Sequence, residues 1–201
     1  MENTNDFTVV IQAGGQSSRM GQDKALMPFL GRPLIARQVE RLRPLGAKIV
    51  VITNRPADYT FLNLPLFPDD APGQGLLVGL RTALTIVGTE LLAVVACDMP
   101  FLQPALLLAQ RDLLLREAVD VVIPRSPHGP EPLHMLYRRA ACLPAIAAAI
   151  QAGERRVISW LPAVRAREMT VEEVAAIDPA FSSFINVNTP EEFQQAEQLG
   201  Y

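Results

Sequence analysis

The stretch Gln12-Ala13-Gly14-Gly15-Gln16-Ser17-Ser18-Arg19-Met20-Gly21-Gln22-Asp23-Lys24 concentrates residue types that suit a phosphate ligand. Paired glycines let the backbone approach a ligand closely and turn successive N–H groups inward, which makes an anion cradle. Ser17 and Ser18 add hydroxyl donors, Arg19 a planar fork for phosphate oxygens, and Lys24 a point charge. The spacing is neither GxGxxG nor GxxxxGK[ST], so neither common phosphate loop is present. On composition alone, a solvated glycine–serine turn with incidental cations stays open.

Asp98 follows the apolar run Leu91–Ala96 and Cys97. A carboxylate at a strand's carboxyl end can help bind a hard dication such as Mg²⁺, which takes one or two carboxylates plus phosphate oxygens and water. The alternative is a helix N-cap near Pro100. Asp69 and Asp70 precede a glycine-rich turn, where aspartates also serve as ordinary turn formers. Asn54 ends a second apolar run and offers its amide to a base or ribose, or simply to a turn. Asn186 and Asn188 are two residues apart, so on a short strand they share a face. Their alternative is a capping turn for the last helix. His128 reads as an exposed loop residue, with an acceptor-side lid as the other option. His134 reads as a half-exposed strand residue and Trp160 as core. Cys97 and Cys142 read as free buried thiols, and no CxxC or Cys/His cluster suggests zinc.

These residues need a scaffold, and the chain alternates between strand and helix signals. Phe7–Gln12, Lys48–Thr53, Leu64–Phe67, Leu91–Ala96 and Val119–Pro124 read as strands, apolar on both faces. Pro33–Arg43, Leu76–Val87 and Pro104–Glu117 read as helices. In the first helix Leu34, Ile35, Gln38, Val39 and Leu42 fall at helical spacing. That β-α-β-α order predicts an α/β fold with a parallel sheet covered on both sides. Leu133–Tyr137 (strand), Cys142–Gln151 (helix), Val164–Met169 (edge strand) and Phe184–Val187 (short strand) complete one sandwich. A final helix, Pro190–Leu199, takes Thr189 as its N-cap.

The chain has 201 residues, 49% hydrophobic, with a formal net charge of −3. It is long enough to bury a core without disulfides, and too apolar to be disordered. Its acidic balance and lack of long basic runs argue against nucleic acid as a partner. No apolar stretch reaches the roughly 20 residues of a membrane span. The N-terminal residues lack a signal-peptide pattern, which predicts a cytoplasmic protein.

The pattern GGxSxRMGxDK, followed by Gly31-Arg32-Pro33-Leu34, resembles the nucleotidyltransferases related to molybdenum cofactor guanylyltransferase. The resemblance continues through Thr53-Asn54-Arg55, Pro68-Asp69, Pro72-Gly73-Gln74-Gly75, Cys97-Asp98-Met99-Pro100-Phe101-Leu102, Glu131-Pro132-Leu133 and Asn186-Val187-Asn188-Thr189-Pro190-Glu191. It implies a three-layer α/β/α sandwich with a mostly parallel, Rossmann-like sheet of the nucleotide-diphospho-sugar transferase type. It implies one nucleotidyltransferase domain, with a nucleotide-binding half (1–124) and an acceptor-side half (125–201). The implied reaction transfers GMP from GTP to the phosphate of Mo-molybdopterin and releases pyrophosphate. Arg19, Lys24 and Asp98 would be catalytic, with Asp98 holding Mg²⁺. Gln12, Ala13, Gly14, Gly15, Lys24, Asn54, Asp69 and Asp98 would bind nucleotide, and Asn186 and Asn188 the acceptor. Molybdopterin-handling proteins and recipient molybdoenzymes would be partners. Two positions depart from the family: Gln12 stands where leucine is usual, and Leu76 where proline is usual. A molybdopterin cytidylyltransferase, a sugar- or polyol-phosphate nucleotidyltransferase and a non-catalytic adaptor are the competing readings.

Overall fold

A computed structural model of the chain describes residues 7–13, 23–70 and 73–199. Gly14, Gly15 and Arg19 lie outside these residues. Strand β1 (Phe7–Gln12) is followed by a small hairpin, β2 (Pro28–Phe29) and β3 (Arg32–Pro33), which leads into helix α1 (Leu34–Leu42). Then come β4 (Lys48–Ile52), β5 (Leu66–Phe67), α2 (Leu76–Ile86), β6 (Leu91–Ala96) and α3 (Pro104–Arg116). The second half comprises β7 (Val121–Ser126), β8 (Gly129–Pro130), β9 (His134–Arg138), α4 (Arg139–Gln151), β10 (Ala166–Met169), α5 (Val171–Ala175) and α6 (Pro190–Gln198).

The main sheet runs β10-β7-β9-β6-β1-β4-β5, with β8 paired to β7. The β1–β4, β1–β6, β4–β5 and β7–β10 pairs are parallel. Strand β9 is antiparallel to both its neighbours, β6 and β7. The short β8 is also antiparallel to β7. The sheet is therefore mostly parallel, and the reversed β9 brings its first residues to the edge where its parallel neighbours end.

Alternation along each strand feeds two cores. Val9 and Ile11 of β1 and Ala93 and Val95 of β6 pack with Ile35 and Val39 of α1 and Leu106 and Leu113 of α3. Val10, Leu92 and Val94 face the other way, against Leu77, Leu80 and Leu84 of α2 and Ile146 of α4. Two helical layers thus sandwich the sheet, in agreement with the predicted fold class. A third cluster joins Phe29, Leu34, Phe101, Val187, Phe193 and Ala196, and ties α6 to the β2–β3 hairpin.

Some boundaries differ from expectation. Phe184–Val187 is not a strand: Ser182–Phe184 form a 3₁₀ turn and the following residues are irregular. The Asp178 carboxylate accepts from the backbone N–H groups of Ser182 and Ser183 and winds the segment there. Beyond it, the Val187 N–H donates to the Asp98 carbonyl rather than to a strand. His134 is fully buried rather than half exposed, because β9 has neighbours on both sides and helices on both faces. Its ring meets Phe184 edge-on at 5.5 Å. Helix α4 starts at Arg139, three residues earlier than expected. The C-terminal helix matches its reading: Thr189 Oγ1 accepts from Glu192 N at 3.2 Å, and Glu192 Oε2 accepts from Thr189 N at 3.1 Å. This is a capping box. Trp160 is buried and His128 is exposed; both cysteines are free, with Cys142 buried as expected and Cys97 half-buried at the rim of the sheet's carboxyl edge.

Candidate active site

The carboxyl ends of β1 and β6 lie side by side and open into a cavity of about 140 Å³, whose lining includes Gln12, Ala13, Lys24, Leu76, Asp98 and Leu133. Backbone geometry fixes this floor. Cys97 N donates to Gln12 O at 3.1 Å, and Ala13 N to Ile52 O at 2.8 Å, so the parallel ladder extends one residue past each strand end. Asp98 then emerges at the edge where α/β sheets gather ligands.

Lys24 opens a 3₁₀ turn capped by Asp23, whose Oδ1 accepts from Ala25 N at 3.2 Å. The other oxygen of Asp23 accepts from the buried Tyr59 hydroxyl at 2.8 Å. Held at its base in this way, Lys24 Nζ donates to Asp98 Oδ2 at 3.0 Å and to Asn188 Oδ1 at 2.7 Å. The Lys24 and Asp98 side chains are only 16% and 17% exposed, so the pair interacts in a largely desolvated setting. Asn188 is placed by the cap of α6, since its N–H donates to Glu192 Oε2 at 2.5 Å.

Asp98 Oδ1 is buried and has no hydrogen-bond partner among the described residues. An orphaned carboxylate oxygen facing a cavity suits a hard cation. Among the described residues no group of three or more His, Cys, Asp or Glu side chains could enclose a metal ion. The donor set therefore fits an ion that takes most of its oxygens from substrate phosphates and water, as Mg²⁺ does. Cys97 sits beside Asp98, but burial pushes its thiol up to about 12, and the Asp98 carboxylate pushes the same way. It stays protonated at neutral pH and is a poor nucleophile.

The structure brings Gln12, Ala13, Lys24, Asp98 and Asn188 together. Asn54 and Asp69 lie to one side, past the ends of β4 and β5, which are one and two strands beyond β1: Asp69 N donates to Asn54 Oδ1 at 3.3 Å, and Thr82 of α2 donates to Asp69 Oδ1 at 3.2 Å. They do not line the cavity. Asn186 is exposed, two residues before Asn188. The Gln12 side chain runs under α2, and a Cβ on Gly79 would sit 3.2 Å from its Nε2, so a glycine there admits the departure from leucine. Sequence reasoning missed Tyr59 and Val187, both anchors of the site. Only the rule that a buried phenol needs a partner pointed to Tyr59. Among the described residues, no helix is long and apolar enough to cross a membrane.

Comparison with known proteins matches this geometry to a group. A family profile described as the MobA-like NTP transferase domain matches residues 9–168, a stretch that includes Lys24 and Asp98 but not Asn186 or Asn188. The chain is 33% identical over 192 residues to the probable molybdenum cofactor guanylyltransferase of Carboxydothermus hydrogenoformans, covering 94% of each chain. It is also 33% identical over 193 residues to the molybdenum cofactor guanylyltransferase of Desulfosudis oleivorans, again covering 94% of each. Among solved structures it resembles molybdopterin-guanine dinucleotide biosynthesis protein A from Archaeoglobus fulgidus, with a TM-score of 0.81, 27% identity, and 96% and 97% of the two chains covered. A 4-diphosphocytidyl-2C-methyl-D-erythritol synthase from Anaerococcus prevotii, at 10% identity and a TM-score of 0.72 over 98% of each chain, shares the fold.

Proposed function

The chain belongs to the MobA-like NTP transferases, and within them to the molybdenum cofactor guanylyltransferase family, and from that premise we propose that it transfers GMP from GTP to the terminal phosphate of molybdopterin, carrying molybdenum. The observation that carries the site assignment is the buried Lys24–Asp98 pair at the mouth of a cleft lined by the ends of β1 and β6. An oxygen of the molybdopterin phosphate attacks the α-phosphorus of GTP. The new P–O bond forms as the bond from the α-phosphorus to the bridging oxygen breaks, and pyrophosphate leaves with that electron pair. The acceptor is already an anion, so no protein nucleophile or base is required, which agrees with a protonated Cys97.

The protein's tasks are alignment and charge compensation. Lys24 would move from Asp98 onto phosphate oxygens, with Asn188 steering its ammonium during the exchange. Arg19 and the backbone of Gly14 and Gly15 would cradle the triphosphate. Gln12, Ala13, Asn54 and Asp69 would take the nucleoside side, and Asn186 and Asn188 the pterin side. Asp98 would hold Mg²⁺ through Oδ1, and a bound Mg²⁺ neutralises charge on the phosphates. One domain would then divide its labour, with residues 1–124 serving the nucleotide and 125–201 the acceptor. We place the enzyme in the cytoplasm, receiving its pterin from molybdopterin-handling proteins and passing product to molybdoenzymes.

The test is pyrophosphate release from purified protein with Mg²⁺ and molybdopterin, supplied with either GTP or CTP. Release with GTP that requires the acceptor is the expected result. Release with CTP alone would overturn the assignment, and release with neither would remove the catalytic reading altogether.

A further inference from the structure

Gln38 occupies the buried stripe of α1 between Ile35, Val39 and Leu42, and is fully buried. A carboxamide is costly there, and only half of it is matched. Its Nε2 donates to the Ala96 carbonyl at 2.7 Å, while its Oε1 is buried without a partner among the described residues. Leucine would fit the stripe and leave no orphaned amide oxygen, so the glutamine must serve something other than core packing.

The location of the Ala96 carbonyl supplies the reason. The N–H of the Ala96–Cys97 peptide points at β1 and donates to Gln12 O. Its carbonyl therefore points the other way, toward β9, but the β6–β9 ladder has ended at Val95↔His134. Gln38 provides the acceptor's missing partner, so this peptide is held at both ends. The next carbonyl to be held is that of Asp98, which accepts from Val187 N at 3.0 Å. The Asp98 backbone is thus fixed on three sides, and Gln38 is the only side-chain anchor among these contacts.

We propose that Gln38 is a positioning residue for the transfer reaction, setting the peptide that aims the Asp98 carboxylate into the cleft. This rests on the role given to Asp98 above. The other fully buried helix glutamine, Gln110 of α3, makes a comparable contact to β9 rather than to the strand that bears Asp98: its Nε2 donates to His134 O at 2.8 Å, and its Oε1 also has no partner among the described residues. It is a matched control.

The experiment compares Gln38→Leu, Gln110→Leu and Gln38→Glu with the parent enzyme in pyrophosphate release and thermal unfolding. Gln38→Leu should lower kcat by about 10- to 100-fold, the scale set by a misplacement of about 1 Å, while KM for GTP changes less than about threefold. Its Tm should match that of Gln110→Leu, whose kcat should stay within about threefold of the parent. A buried glutamic acid is protonated more readily than an exposed one, and its O–H can replace the Nε2 donor. The activity of Gln38→Glu relative to the parent should therefore rise as the pH is lowered from about 9 to about 6. Equal losses of kcat in both leucine variants, a kcat for Gln38→Leu near that of the parent, or a flat ratio for Gln38→Glu would overturn the proposal. Asp98→Asn run in parallel separates the two failures. If that variant turns over normally, the site reading is at fault. If it is inactive while Gln38→Leu is not, only the positioning role falls.

Discussion

Replacing Asp98 with asparagine keeps the shape of the side chain and removes its charge. Lys24 Nζ lies 3.0 Å from Asp98 Oδ2, with both side chains about five-sixths buried. At an effective dielectric constant of about 20, unit charges at that distance attract by about 5 kcal/mol. Desolvation of both groups offsets much of this. Lys24 also retains Asn188 Oδ1 at 2.7 Å and the neutral amide oxygen at position 98, so the ammonium is not stranded. The net stability loss should be about 1–3 kcal/mol, which lowers Tm by roughly 2–12 °C for a chain of this size. Catalysis should suffer more, because the lost group is the proposed Mg²⁺ ligand and also stations Lys24. A fall in turnover of about 10²–10³, or about 3–4 kcal/mol in the barrier, is expected in the Mg²⁺-dependent pyrophosphate assay. Near-parental turnover from folded Asp98→Asn protein would refute the reasoning.

Three other perturbations follow from neighbouring contacts. Tyr59→Phe removes the donor to Asp23 and should cost about 1 kcal/mol in chemical denaturation while raising KM for GTP, because the turn bearing Lys24 loses one of its two anchors. Burial pushes His134 down to about 4, so the native ring stays neutral while the unfolded chain takes up a proton below about 6.5. Its contribution is therefore fully present above pH 6.5 and is lost as pH falls toward 4, amounting to about 3 kcal/mol, and stability curves for His134→Leu should rise less steeply across that window than those of the parent. Phe193→Ala opens a gap against Phe29, 6.1 Å away between ring centroids; it should cost about 3–5 kcal/mol and weaken acceptor binding by loosening the helix that holds Asn188.

The fold was readable where chemistry punctuates it. β1 and β6 match their expected bounds because their apolar, β-branched runs give way to Gln12 and the following glycines in one case and to Cys97-Asp98 in the other. Helix α6 matches because Thr189 and Glu192 form a capping box around Pro190 within the helix's first turn. Ile185 and Val187 alternate with asparagine as a strand would, but their backbone finds Asp98 and a 3₁₀ turn instead of a sheet edge. His134 looked half exposed because alternation says which face a residue takes, not whether that face is covered. In the site, Lys24, Asp98 and Asn188 were each visible as separate chemical groups. Their mutual contact was not, since it joins positions 74 and 164 residues apart. Tyr59 and Gln38 act through hydrogen bonds with no fixed spacing, although a polar residue on an otherwise apolar stripe was a hint in the case of Gln38.

Asn188 therefore makes the cleft a late product of synthesis. When Asp98 leaves the ribosome, β1 on one side of its strand has been made and β9 on the other has not, and the residue that shares Lys24 with it is still 90 positions away. At about 5–20 residues per second, that is an interval of roughly 5–20 s. Closing the longer contact adds only about 0.7 kcal/mol of chain entropy over the shorter one, so the delay is one of timing rather than of equilibrium. A nascent chain can begin to assemble its sheet while Lys24 still lacks Asn188, so the contact that completes the proposed site is among the last to form.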